Sequence, residues 1–213
     1  HLGGAWPAAG GLGVIAGFVI LSFYSVVGGW TLAYAIKSVT GALASNDPKV
    51  LGAAFGTFIA DPLDVIGFHT AFMVLTLVIV AGGVRHGIER AARILMPILA
   101  LLVIVLAVRA VTLDGAAKGI AFFLTPDFSK VTWNTVNAAL GQAFFSLSLG
   151  MGTMITYASY LNRQVNLPKT AAQVTLLDTG FAVIAGLMIL PAVFAFGFDP
   201  AAGPGLTFIT LPA

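Results

Sequence analysis

Apolar runs long enough to cross a membrane, separated by short polar links, set the pattern of this chain. Five such runs occur, spans A to E, at residues 11–36, 65–84, 94–113, 131–162 and 170–198. A hydrocarbon core about 30 Å thick needs roughly 20 helical residues, so each run predicts one crossing helix. Span D differs from the rest. No Asp, Glu, Lys or Arg lies between Lys130 and Arg163, yet the middle of that stretch reads Ser146-Leu-Ser-Leu-Gly-Met-Gly152. Two glycines preceded by two hydroxyls weaken a helix where lipid offers the backbone no water. Such a break is tolerated only if it lines a cavity or is packed in protein. Span D is therefore expected to be discontinuous.

The links carry their own signals. Residues 41–64 read as a loop with one short helix, its turn marked by Asn46-Asp-Pro48. Residues 85–93 read as a short polar link with Glu89 and Arg93 at i,i+4, and residues 114–130 as a second polar loop with a turn at Pro126-Asp-Phe128. Pro97 is expected to kink the first turns of span C, and Arg109 can snorkel near its far end. His69, near the start of span B, reads as an interfacial or helix-packing histidine. Arg85, Arg90 and Arg93 in one link, with Arg163 and Lys169 in another, put those two short links in the cytoplasm. From Gly203-Pro-Gly205 onward the tail reads as a loop leading into a further element.

Composition removes whole classes of function. The 213 residues are 59% hydrophobic and 8% charged, against about 25% charged in soluble proteins, which excludes a water-soluble domain. A net charge of +2 with no basic run gives no nucleic-acid surface, and zero cysteines remove disulfides and thiolate metal sites. No nucleophile–base pair, phosphate-cradling loop or metal-ligand cluster stands out, so an enzyme is not expected. The chain opens at His1 without the basic segment of a signal peptide. It stops within an apolar phrase, Leu206-Thr-Phe-Ile-Thr-Leu-Pro-Ala213, and is expected to be an excerpt of a longer protein.

Depth in the membrane groups three polar residues. The charge-free part of span D is centred between Ser146 and Leu147, and the stretch from Gly11 to Lys37 is centred on Tyr24. Asp178, in span E, lies beyond Lys169 by about 14 Å at 1.5 Å per residue, close to half of the core. A mid-membrane acid costs at least about 2.5 kcal/mol on insertion scales, and no Lys or Arg in the chain sits at that level. A bound cation is the natural partner.

The run Gly141-Gln-Ala-Phe-Phe-Ser-Leu-Ser-Leu-Gly-Met-Gly152, followed by Ile155-Thr-Tyr-Ala-Ser-Tyr160, resembles the sixth helix of the neurotransmitter:sodium symporters, in particular their bacterial amino-acid transporters and among these the bacterial leucine transporter. Supporting matches are Trp30-Thr-Leu-Ala-Tyr-Ala-Ile-Lys37, Gly87-Ile-Glu-Arg90 with Met96-Pro97, Pro126-Asp-Phe128, and Phe208-Ile-Thr-Leu-Pro212. The resemblance covers nearly the whole chain, as helices three to seven of a twelve-helix protein. It implies an all-α polytopic membrane fold of the inverted-repeat transporter type, five of whose helices lie here, one of them discontinuous. Broken helices at mid-depth carry the ion and substrate sites of such transporters, and this family is itself the type case.

Roles follow from the resemblance one residue at a time. Tyr24 matches the tyrosine whose hydroxyl meets the substrate carboxylate, and Ile20, one turn earlier, a wall of the side-chain pocket. Phe145 matches the aromatic that closes over substrate, while Ser148 and Met151 match positions facing its side chain. Ser146 matches a hydroxyl ligand of the first sodium site, and Asp178 the position usually held by a sodium-binding Asn. Gln142 matches a neighbour of the family's chloride site, Ala182 a position where chloride-dependent relatives place Ser, and Tyr160 an aromatic of the cytoplasmic gate. Without the resemblance, Tyr24 and Phe145 read as packing residues, and the two serines as hydroxyls bonded back to their own helix.

The function implied is sodium-coupled symport of amino acids, hydrophobic ones given Met151, by alternating access and without chloride. The coupling ion is Na+, with no organic cofactor. The other partners implied are the amino-acid substrate, the lipid bilayer and the missing helices of the parent, with a homo-oligomer possible and the bacterial inner membrane as location. A transporter or channel of another class, and a short non-transporting membrane partner, stay open on the residues alone.

Overall fold

The computed structural model describes residues 4, 6–43, 45, 47–162, 164–200, 203 and 206–210. Arg163, Asn46 and the final Leu211-Pro212 of the tail motif lie outside the described residues. Among those described, every regular element is helical: α1 (Trp6–Val39), α2 (Pro48–Ala60), α3 (Pro62–Ala81), α4 (Glu89–Val111), α5 (Ala116–Leu124), α6 (Trp133–Ser146), α7 (Thr153–Ser159) and α8 (Leu167–Phe196). Among the described residues, four stretches are long and apolar enough to cross a membrane: Pro7–Val39, Pro62–Ala81, Val84–Val111 and Leu167–Phe196. The fifth apolar run is divided between α6 and α7.

Local chemistry explains the helix boundaries. The Asp47 carboxylate accepts the Lys49 N–H at 2.8 Å and Pro48 fills the first turn, so α2 starts there. Asp61 repeats the device for α3, accepting from Leu63 N–H at 2.9 Å with Pro62 next to it. The segment 41–64 thus contains a 13-residue helix joined directly to α3. The polar link 85–93 is helical throughout. Gly83, at φ 72°, turns the chain into a π-helical turn, Val84–Ile88, that runs straight into α4. A Cβ on Gly87 would collide with the Ile79 carbonyl oxygen, so glycine is required there. The expected Glu89–Arg93 pair forms at 2.6 Å on the exposed surface, worth a few tenths of a kcal/mol. At Pro126-Asp-Phe128 the expected turn is a single 3₁₀ turn, Phe128–Lys130, capped by Asp127. The Ser129 hydroxyl, and after it Lys130, holds the Asp127 carboxyl below its ordinary range. Thr132 and Thr135 then cap the start of α6 reciprocally.

The chain clusters into two compact units, His1–Phe23 with Pro126–Ala182 and Tyr24–Thr125 with Val183–Ala213; α1 and α8 contribute to both. The second unit holds an aromatic core of Tyr34, Phe58 and Phe208, with Trp30 and Phe55 packed against it. Here α1 presses on α3. A Cβ on Gly29 would lie 2.7 Å from the His69 nitrogen and 2.8 Å from its Cα, and one on Gly28 would enter the Phe72 ring. His69 is thus at a helix–helix contact.

Helix α5, inside the expected polar loop 114–130, is a correction. Its sequence is apolar apart from Lys118, and its small residues Ala116 and Gly119 are buried. A Cβ on Gly119 would lie 2.7 Å from Pro191 Cα, so the missing side chain lets α5 seat against α8. Phe122 meets Phe194 at 5.2 Å on the same contact. The polar ends of the segment, Asp114 and Lys130, conceal this short amphipathic helix in the sequence.

Candidate functional site

The site begins where α6 stops. The N–H groups of Leu147, Ser148 and Leu149 turn back onto the carbonyls of Ala143, Phe145 and Phe144 at 3.1, 3.1 and 2.8 Å. Gly150 and Gly152 then take left-handed conformations, φ 79° and 76°, and Ser148 does so without being glycine, at φ 53°. A left-handed backbone costs a side-chain-bearing residue about 1 kcal/mol or more, so Ser148 holds local strain at the break. Helix α7 restarts with Thr156 N–H on the Gly152 carbonyl at 3.0 Å.

At the last residue of α6 the Ser146 hydroxyl meets the Asp178 carboxylate of α8, 2.7 Å from Oδ1 and 2.8 Å from Oδ2. The residues are 32 apart in sequence, and the contact joins the broken helix to its continuous neighbour inside one compact unit. Gln142 sits one turn before Ser146 and Ala182 one turn after Asp178, each at i,i+4 spacing, so both pairs share helix faces with the serine–carboxylate contact. A hydroxyl and a carboxylate at this separation offer oxygen ligands suited to a hard cation. With its proton directed at Asp178, the Ser146 hydroxyl must rotate to turn a lone pair on an ion. Among the described residues no three His, Cys, Asp or Glu side chains converge.

Beside the break lies a cavity of about 490 Å³, lined by Ser148 to Tyr157 and, from α1, by Gly10, Gly13 and Gly17. Ser148 and Met151, both expected to face substrate, are in this lining; Phe145 and Ser146 are not. The glycines were missed as site elements. Their i, i+3, i+7 spacing along α1 is a small-residue stripe of the kind that lets membrane helices approach closely. Gly13 shows why: its Cβ would lie 3.2 Å from Gly152 Cα. Ile20 and Tyr24 share one face of the unbroken α1 at i,i+4, with Tyr24 in the second unit. Tyr160 caps the end of α7 and is exposed.

Comparison with known proteins adds independent findings. A model of the sodium:neurotransmitter symporter family matches residues 63–212. The chain is 46% identical over 209 residues to an uncharacterized sodium-dependent transporter, YhdH, of Bacillus subtilis (strain 168), covering 98% of this chain and 46% of the relative. It is 41% identical over 211 residues to an uncharacterized sodium-dependent transporter of Haemophilus influenzae, covering 97% and 46%. It is 34% identical over 157 residues to the sodium-dependent nutrient amino acid transporter 1 of Drosophila melanogaster, covering 69% and 24%. Among solved structures, the crystal structure of MhsT in complex with L-phenylalanine superposes with a TM-score of 0.87 at 49% identity, over 99% of this chain and 48% of that one. The chain thus spans about half the length of its bacterial relatives.

Proposed function

Because this chain belongs to the sodium:neurotransmitter symporter family, we propose that it supplies about half of a membrane transporter that couples sodium to the uptake of hydrophobic amino acids by alternating access. The observation that carries the reading is the Ser146–Asp178 contact at the broken helix. Sodium is the cargo that would take oxygens from both residues, completed by ligands outside this chain. Asp178 supplies the charge and Ser146 a lone pair, so the ion would fasten the end of α6 to α8. Tyr24 would donate its hydroxyl to the substrate carboxylate and Ile20 form a wall beside it. Phe145 would close over the substrate, Ser148 and Met151 would face its side chain, and Tyr160 would belong to the cytoplasmic gate. An ion that orders the break raises substrate affinity, and by linkage substrate raises ion affinity by the same factor.

Two features support the finer details. Met151 is flexible and adapts to ligands of different shape, and the similar MhsT structure contains L-phenylalanine. Asp178 adds a fixed negative charge beside the cation, with Gln142 and Ala182 on the same faces, so a mobile chloride becomes unnecessary. The proposed location is the bacterial inner (plasma) membrane, two of the similar proteins being bacterial.

The test is uptake by the full-length gene product in proteoliposomes, with amino acid and ions varied separately. Uptake should saturate, require sodium, and be competed best by amino acids from branched aliphatic to aromatic. Competition led by charged or small polar amino acids contradicts the pocket assignment, and sodium-independent uptake contradicts the coupling. A narrower expectation concerns Tyr24→Phe. One hydrogen bond to a charged carboxylate is worth about 1.5–3 kcal/mol, so substrate affinity should fall roughly ten- to a hundredfold with thermal stability kept. Equal affinity in a well-folded variant removes Tyr24 from the site.

A further inference from the structure

Helix α1 and the break touch backbone to backbone. A Cβ on Gly13 would lie 3.2 Å from the Gly152 Cα, 3.4 Å from its nitrogen and 3.4 Å from the Met151 carbonyl oxygen, and one on Gly152 would lie 3.4 Å from the Gly13 Cα. Both glycines belong to the same compact unit. At Gly10, Gly11 and Gly17 of the same helix a Cβ would meet no described atom within 4 Å, so the contact belongs to Gly13 itself. What Gly13 touches is the point where the broken helix restarts. Gly152 stands before α7 in a left-handed conformation, φ 76°, and its carbonyl accepts both the N–H of Thr156 at 3.0 Å and the Thr156 hydroxyl at 3.1 Å. These bonds fasten Gly152 to α7, and Gly13 bears on it from α1. Met151, directly before it, lines the cavity of about 490 Å³ that the break shares with Gly13.

We propose that Gly13 is a positioning residue for amino-acid selectivity: its missing side chain lets the Met151–Gly152 peptide rest on α1, and so sets where Met151 stands against the substrate. This rests on the reading that Ser148 and Met151 face the substrate side chain. The atoms a new Cβ would meet are all backbone and cannot rotate aside, so a methyl group at position 13 displaces the peptide itself by a few tenths of an ångström. It acts as a wedge between α1 and the break, which are the two walls of the cavity. Walls that part keep contact with a large side chain and lose it with a small one, because a gap of that size leaves the lining atoms without partners. Affinity for branched aliphatic amino acids should therefore fall, and affinity for aromatic ones should hold.

The test compares Gly13→Ala with Gly11→Ala in the full-length gene product. Both remove the entropic cost of a helical glycine from α1, but only the first meets the break. Binding of L-valine and of L-phenylalanine is measured in sodium, and the Met151 methyl group is followed by NMR, its resonance identified by its loss in Met151→Leu. In Gly13→Ala the ratio of the valine Kd to the phenylalanine Kd should rise by about threefold or more, with the Met151 methyl resonance displaced. Gly11→Ala should keep the wild-type ratio and resonance. Equal losses for the two amino acids reduce Gly13 to ordinary helix packing and overturn the proposal, and a ratio that moves in favour of valine overturns the wedge. Failure of Gly13→Ala to fold overturns it too, since the break would then be unable to yield. If the wild type binds neither amino acid, the symport reading fails, and the Met151 resonance still decides the contact: an undisplaced methyl in folded Gly13→Ala refutes it.

Discussion

Replacing Asp178 by Asn is expected to abolish sodium-driven uptake in chloride-free medium, leaving transport either inactive or newly dependent on chloride. Asp178 is the only acidic residue of its span, and its carboxylate already holds the Ser146 hydroxyl at 2.7 Å. Asn keeps the shape and an accepting oxygen but removes the charge. Leaving a desolvated cation without its counter-charge costs about 3 kcal/mol or more, which is over a hundredfold in sodium affinity. An added anion near Gln142 and Ala182 can restore that charge, hence the expected chloride dependence. Were Asp178 only a structural acid, the variant would lose thermal stability and gain no response to chloride. Uptake and thermal melting measured on the same preparation separate the two.

Gly29→Leu is expected to prevent α1 from closing on α3, and Gly29→Ala to destabilise the protein by about 2 kcal/mol. The atoms an added Cβ would meet, 2.7 and 2.8 Å away, are backbone atoms of His69 and cannot rotate aside. The helices themselves must part, and with them the seating of the helix that carries Tyr24. A useful control is Gly56→Ala on α2, where nothing lies within 4 Å of the new Cβ; removing a helical glycine there should be neutral or stabilise by about 0.5–1 kcal/mol. Melting temperatures decide it. A Gly29→Ala protein as stable as the Gly56→Ala control contradicts the close contact.

The most legible parts of the fold were those written in period and charge. Long apolar runs bounded by polar residues mark the continuous helices, and Ser-Leu-Ser-Leu-Gly-Met-Gly marks the break, because glycine and hydroxyl side chains act on the backbone locally. The Ser146–Asp178 contact was partly legible: depth alone brought both residues to one level, and family resemblance paired them. What escaped depends on partners distant in sequence. Helix α5 is stabilised by Gly119 meeting Pro191, and Gly13 matters only because Gly152 lies opposite. The helical link into α4 turns on Gly87 fitting under the Ile79 carbonyl, a tertiary fact that a run of arginines conceals. The aromatic core around Phe208 joins α1, α2 and the segment after α8, and no local pattern announces it.

On the proposed function, the fixed Asp178 carboxylate would let the full-length parent couple sodium to amino-acid uptake without a mobile anion. The most direct measurement is L-phenylalanine uptake by the wild-type full-length gene product in proteoliposomes under an inward sodium gradient, with gluconate replacing chloride on both sides. The account predicts saturable, sodium-dependent uptake at the same rate in both anions. Uptake that collapses in gluconate, or that proceeds equally well without sodium, would contradict it.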